Sequence, residues 1–316
     1  MGFRFLLEPP GVFPVALAPG LVWEIHQPVS VGDNCCGRRM TSELPVSDSA
    51  HARSNSDYTA GGQSMSSSFD EWFQNITRSG CRASLLCFPY SGSGAAMFGA
   101  WKKDMFPGVE LLAAKLPGRE SRLNEKPRKN LTGLAEEIAD AISDSEVAAG
   151  PLFLLGCSVG ALLAFEVARS LRRRQIRTDC LFAAAARAPQ GRWLRGSLHR
   201  LNDDRFLKKL HTRYGAVPQQ MMANEELRRL LLPMLRADIE MFETYRHQSE
   251  RPLNCQLVTL AGIDDPAVKT RHIYPWRELA VSYRHRSFPG DHYFVRTATK
   301  AVLQTIEKRL RPLIRP

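Results

Sequence analysis

Short, unbroken apolar runs alternate along this chain with stretches in which apolar side chains return every three or four positions. The runs cover residues 84–88, 109–115, 152–155, 179–185 and 255–261, with a last one at about 281–288. Runs this short and this apolar predict strands buried on both faces. Helical spacing fills the intervals. A helix is expected around Met97, Phe98 and Trp101, and another over 131–142, where Leu131, Leu134, Ile138, Ala141 and Ile142 share one face. A third runs to about Arg174, and a basic helix over 296–311 closes the chain. Such alternation predicts an α/β protein, a mainly parallel sheet with helices on both faces. Residues 190–247 break the rhythm. They are helical in pattern and rich in charge, and the helix expected over 227–245 carries Leu231, Leu235, Ile239 and Phe242 as a stripe. A helical insertion late in such a sheet predicts a lid, although most of the stripe reads as plain core. No internal repeat is visible.

Residues 1–68 differ from the rest. Pro, Gly and Ser are frequent there, periodicity is absent, and the globular domain is expected to span 69–316. The segment reads either as a poorly structured leader or as an extension upstream of a true start at Met65. Charge divides the same way. The chain carries +11 overall, but residues 1–68 hold four arginines and no lysine against six acids, leaving +13 on the remainder. A basic body predicts an acidic partner, with nucleic acid, an anionic membrane and an acidic carrier protein all compatible with the charge; no nucleic-acid-binding motif accompanies it, so none is expected as a partner. The seven cysteines are scattered, without C-x-x-C or Cys/His zinc spacing, which predicts reduced thiols in a cytoplasmic protein and no metal. Adjacent Cys35 and Cys36 are expected to have no role. No apolar run reaches eighteen residues, so no membrane span is expected. No cofactor is expected, and a monomer is.

The chemistry centres on Gly156-Cys-Ser-Val-Gly160, between an apolar run and an alanine- and leucine-rich helical pattern. Strand, tight turn and helix with G-x-S-x-G at the turn is a nucleophile elbow, and it nominates Ser158. A serine hydroxyl is a poor nucleophile until a base takes its proton, and the base is a histidine oriented by a third group. Of eight histidines, His26 and His51 fall in the leader. His199, His211 and His247 sit among charges, where a solvated face is expected. His285 lies in the charged run Arg284-His-Arg286 and is expected to point outward, and His272 lies in a basic loop. His292 alone follows the last strand, and is the candidate base. The acid should fall between serine and histidine. Asp264 and Asp265 follow the 255–261 strand, and the G-x-x-D spacing selects Asp265, with Pro266 holding the turn. Asp264 reads as an exposed turn residue, less readily as the acid. Asp291 adjoins His292, but neighbouring side chains diverge. An oxyanion site needs two backbone N–H groups. One is expected from Val159, the other from Tyr90 or Ser91 in the glycine-rich loop after the first core strand.

With those residues in place, the chain resembles the type II thioesterases of polyketide and nonribosomal peptide synthesis, and the related medium-chain acyl thioesterases of fatty-acid synthesis. The matching pieces run collinearly: Phe88-Pro-Tyr-Ser-Gly-Ser-Gly94, Leu116-Pro-Gly-Arg-Glu-Ser-Arg122, the elbow through Ala168, Arg187-Ala-Pro189, Leu231-Leu-Pro-Met-Leu-Arg-Ala-Asp238, Glu243-Thr-Tyr245, Gly262-Ile-Asp-Asp-Pro266 and Gly290-Asp-His-Tyr-Phe294. The resemblance implies an α/β-hydrolase fold with a helical lid. It also implies hydrolysis of acyl or aminoacyl thioesters on the phosphopantetheine arm of an acyl or peptidyl carrier protein, releasing mis-primed or stalled groups. It supports Ser158 as nucleophile, Asp265 as acid and His292 as base. Two positions depart from the family pattern. Cys157 stands where histidine is usual, and Gly290-Asp-His where Gly-Gly-His is usual. A general esterase or lipase with the same triad, and a catalytically silent carrier-binding module, are the alternatives.

Overall fold

The computed structural model describes residues 68–77, 81–191, 196–215, 221 and 223–314. The expectations for the leader, Met65, Cys35, Cys36, His26 and His51 lie outside the described residues. The described chain opens with a short helix α1 (Ser68–Trp72) and a three-residue strand β1 (Phe73–Asn75). Next come β2 (Ala83–Phe88), β3 (Val109–Ala114), α2 (Leu131–Ser143), β4 (Leu152–Cys157), α3 (Val159–Arg173) and β5 (Cys180–Ala184). The second half holds α4 (Asp203–Tyr214), α5 (Glu225–Thr244), β6 (Leu253–Gly262), α6 (Thr270–Ile273), β7 (Ala280–Phe288), α7 (Phe294–Thr297) and α8 (Thr299–Leu310). One seven-stranded sheet has the order β1-β3-β2-β4-β5-β6-β7. β1 runs antiparallel to β3, and the other pairings are parallel.

The alternation of side chains along β4 explains why its run is apolar throughout. Leu152 and Leu154 point into a core shared with α2 and α3, whereas Phe153, Leu155 and Cys157 point into a second core beneath α8. Each fully buried Leu or Phe stabilises by about 1.5–3 kcal/mol, so both faces of the central strands hold the layers together. Two expectations are refined. The segment around Trp101 is a 3-10 helix, Ala95–Lys103. On α5 the buried face runs through Met234, Ala237, Asp238 and Met241, with Leu231, Leu235 and Phe242 only partly buried. Polar residues on this buried face were not anticipated.

The insertion between β5 and β6 is helical as expected. Asn202 and Asn224 cap α4 and α5, their side chains accepting from the backbone N–H of Arg205 and Leu227. A small core of its own joins Phe206, Leu207 and Leu210 to Met221, Leu232 and Ile239. Two histidines expected on a solvated face are not there. His199 pairs through Nδ1 with buried Glu243 of α5 at 2.7 Å, because that carboxylate also needs donors in a place without water. His247 is half-buried beside the Phe165 ring, and burial together with the Arg169 charge lowers its pKa. Among the described residues no helix is long and apolar enough to cross a membrane.

The elbow depends on how closely two backbones approach. A side-chain carbon placed on Gly160 would lie 2.4 Å from the Pro89 carbonyl oxygen and 2.5 Å from that of Phe88. One on Gly156 would lie 2.1 Å from the Gly160 carbonyl oxygen. These are backbone atoms that cannot swing aside. Gly160→Ala is therefore expected to destabilise the fold by at least about 1–3 kcal/mol, the usual cost of overpacking; urea denaturation of the two proteins measures it.

Candidate active site

Four loops meet at the carboxyl edge of the sheet, where parallel α/β sheets place their ligands. They follow β2, β4, β6 and β7, and the strand register aligns them. Phe88 stands opposite Gly156, and Gly262 opposite Phe288. Ser158 is the first residue beyond β4. Its backbone has φ 57° and ψ −115°, a conformation a side-chain-bearing residue seldom adopts. Its N–H donates to the Ala184 carbonyl at 2.8 Å, and its hydroxyl makes no cap bond to α3. The strained turn thus leaves Oγ pointing away from the helix it begins.

His292 receives that hydroxyl. Its Nε2 lies 3.2 Å from Ser158 Oγ, and its Nδ1 lies 2.7 Å from Asp265 Oδ2. A carboxylate accepts and cannot donate, so in the neutral ring Nδ1 carries the proton and Nε2 presents its lone pair to the serine. His292 and Asp265 are both buried. The histidine ring sits among Tyr90, Tyr214 and Tyr293, with centroids 5.6, 5.2 and 5.4 Å away. The Tyr90 hydroxyl donates to the His292 carbonyl at 3.0 Å. Tyr214 comes from the end of α4, so the insertion covers the histidine directly.

Asp265 is held as firmly. Oδ1 accepts the N–H groups of Ala267 and Val268 at 2.7 and 3.0 Å. Burial works against its charge, but the hydrogen bond and charge of His292 and those two N–H groups outweigh it, and the carboxyl stays below its ordinary pKa. Asp264 is exposed and ties the two loops together, exchanging hydrogen bonds with the N–H and carbonyl of Gly290. Asp291 turns away, its carboxylate accepting the Tyr293 N–H at 2.8 Å. His285 points outward at the sheet edge and bonds Thr259 and Ser287. His272 lies in α6, where its Nδ1 accepts the Lys269 N–H at 3.1 Å.

The residues expected to supply the oxyanion groups lie on the elements next to Ser158. Val159 is the first residue of α3, so its N–H has no acceptor within the helix. Tyr90 and Ser91 lie in the loop that the missing side chain of Gly160 admits. Cys157 lies beneath, fully buried, its thiol pushed up by burial while a hydrogen bond with Tyr90 pulls the other way. A thiol in that state is no nucleophile. The described cysteines form no disulfide with one another, and Cys87, Cys180 and Cys255 are buried.

Several contributors had no role in the sequence reading. Arg187 Nε donates to the Ala267 carbonyl at 3.0 Å, bracing the Asp265 turn from the loop after β5. Arg119, from the loop after β3, makes two hydrogen bonds to Asp238 of α5 at 2.7 and 2.8 Å. The only sequence signal was their presence in the motifs quoted above.

The order of strands, the elbow and the helical insertion define an α/β-hydrolase fold. Residues 83–310 match the thioesterase domain family model, and the chain belongs to that family. It is 31% identical to the gramicidin S biosynthesis protein GrsT of Aneurinibacillus migulanus, over 79% of this chain and 98% of that one. It is likewise 31% identical to thioesterase PikA5 of Streptomyces venezuelae, over 72% of this chain and 80% of that one. Among solved structures, the RedJ thioesterase of the prodiginine pathway of Streptomyces coelicolor superposes with a TM-score of 0.68 at 30% identity, covering 74% of this chain and 88% of that one. YbtT, a type II thioesterase from the yersiniabactin NRPS/PKS pathway, gives 0.70 at 25% identity, covering 77% and 100%.

The depressed carboxyl of Asp265 has a measurable sign. Its charge favours the folded state above about 3.9, the value of an unfolded aspartate, and that contribution disappears as pH falls through the lower folded value. The difference in Tm between the wild type and Asp265→Asn, followed from neutral to acid pH, is expected to narrow below about pH 4.

Proposed function

We propose that this thioesterase hydrolyses acyl or aminoacyl thioesters carried on the phosphopantetheine arm of acyl or peptidyl carrier proteins, and that it edits a polyketide, nonribosomal peptide or fatty-acid synthase by clearing mis-primed or stalled groups. The observation that carries the reading is the chain of contacts from Asp265 through His292 to Ser158, at 2.7 and 3.2 Å, in a member of the thioesterase family. Relatives from gramicidin S and yersiniabactin biosynthesis support the setting.

In this mechanism Ser158 is the nucleophile, His292 the base and Asp265 the group that orients it. Nε2 of His292 takes the hydroxyl proton as Oγ bonds to the thioester carbonyl carbon. The negative charge moves to the carbonyl oxygen, where the N–H of Val159 and one from Tyr90 or Ser91 receive it. The positive end of α3 adds to that stabilisation. The intermediate collapses, the carbon–sulfur bond breaks, and the departing thiolate takes the proton from His292. Water then attacks the acyl ester of Ser158 with the same histidine as base, releasing the acid and restoring the serine. Reduced cysteines fit a cytoplasmic location, a monomer suffices because all three groups come from one chain, and residues 69–316 act as the catalytic domain.

Ser158→Ala is expected to abolish hydrolysis of a short acyl carrier-protein thioester and labelling by a fluorophosphonate; retained turnover refutes the assignment. Asp265→Asn is expected to keep the site's shape while lowering kcat by up to about 10⁴-fold, because the amide favours the wrong histidine tautomer. Comparing carrier thioesters with oxygen esters in the same assay separates this activity from that of a general esterase.

A further inference from the structure

The loop after β2 is held from outside at four backbone groups, the N–H of Gly92, Ala95 and Ala96 and the carbonyl of Ser93. Tyr90 to Ser93 is a hydrogen-bonded turn, the Ser93 N–H donating to the Tyr90 carbonyl at 3.0 Å. Inside that turn the Gly92 N–H donates to Asp238 Oδ2 at 2.7 Å, and the Ser93 carbonyl accepts Arg119 Nη1 at 2.9 Å. The same Nη1 reaches Asp238 Oδ2 at 2.8 Å, and Nη2 reaches Oδ1 at 2.7 Å. Leu235, one turn earlier on α5, packs over Gly92. Farther along, both oxygens of Glu120 take the N–H groups of Ala95 and Ala96 at 2.8 and 3.0 Å. Glu120 has φ 49°, a conformation held only where surrounding contacts insist on it.

Arg119 and Asp238 are 3% and 1% exposed. A buried ion pair is a weak source of stability, since apolar residues of similar size often do as well. Its geometry has another use. One carboxylate oxygen is shared between the guanidinium and the N–H of Gly92, and the guanidinium continues to the next residue's carbonyl. The pair therefore holds the 91–92 and 93–94 peptide units, one on each side of the Ser93 N–H, whose bond to the Tyr90 carbonyl in turn holds the peptide unit that carries the Ser91 N–H. Arg119 belongs to the sheet layer and Asp238 to the inserted helix α5.

We propose that Arg119 and Asp238 are positioning residues for the oxyanion loop, and that they make a formed oxyanion site conditional on the seating of α5. The proposal rests on the serine-hydrolase reading given above. When α5 lifts, the Gly92 N–H loses its acceptor and Arg119 loses its bidentate partner, so the loop is released. An open insertion then admits substrate without a competent site, and closure assembles the site.

The test is the double variant Arg119→Met/Asp238→Leu, assayed with an acyl carrier-protein thioester beside the wild type and Ser158→Ala. Apolar replacement removes the buried ion pair itself at little cost, but it strands the buried Gly92 N–H and Ser93 carbonyl, so Tm is expected to fall by a few degrees with the fold retained. Loss of the acceptor for Gly92 is expected to lower kcat by roughly ten- to a hundredfold, below the effect of deleting an oxyanion donor outright, with KM changed by less than about threefold. Wild-type kcat in the folded double variant, or an effect confined to KM, overturns the proposal. Should that variant not fold, Asp238→Asn decides: its amide can accept at only one oxygen, and a several-fold lower kcat at unchanged KM is expected, whereas wild-type kcat overturns the proposal. The wild-type rate against Ser158→Ala reports separately on the underlying reading.

Discussion

The distance between helix α3 and the end of β2 governs the carboxyl edge of this protein. Backbone meets backbone at Gly160, with the carbonyls of Phe88 and Pro89 where a side chain would begin. That approach sets the loop after β2 beside the first turn of α3, and Tyr90 of that loop reaches the carbonyl and ring of the histidine. Ser158 takes up the strain of the turn with its positive φ. The apolar cores on both faces of β4 supply the free energy that keeps it there.

The histidine and its acid show how the same edge sets a ring's orientation and tautomer. His292 is enclosed by three tyrosine rings, and its backbone is held by Tyr90. Asp265 spends one oxygen on backbone N–H groups and the other on the ring. The first oxygen cannot rotate away without abandoning two hydrogen bonds, so the second stays aimed at Nδ1. Orientation and tautomer are thus set by one turn, which Arg187 braces from the neighbouring loop.

Much of this was legible in the residues because the signals are local. Strands buried on both faces write themselves as apolar runs, and the elbow is a contiguous motif flanked by the elements it needs. That Asp265 and His292 would meet was legible from their place after strands and from chain order. What escaped was decided by partners far along the chain. β1 is three residues whose pairing is supplied by β3, and no periodicity can appear in so short a piece. Nothing in the residues around Asp238 and Glu243 tells that each is buried against groups from distant segments. His199 was misread for the same reason, since its neighbour in space is a carboxylate 44 residues away. A charged residue carries no mark in the sequence telling whether water or a protein partner satisfies it.

The two outer strands of the sheet also have a consequence beyond the site. An open edge offers unpaired backbone groups as a template on which another chain can polymerise. Here one edge is only three residues long, and the other presents Arg284 and Arg286 on exposed positions of β7. Shortness on one side and repulsion between like charges on the other discourage edge-to-edge fibre growth. Among the described residues the sheet can therefore remain open at both ends without becoming the seed of an aggregate.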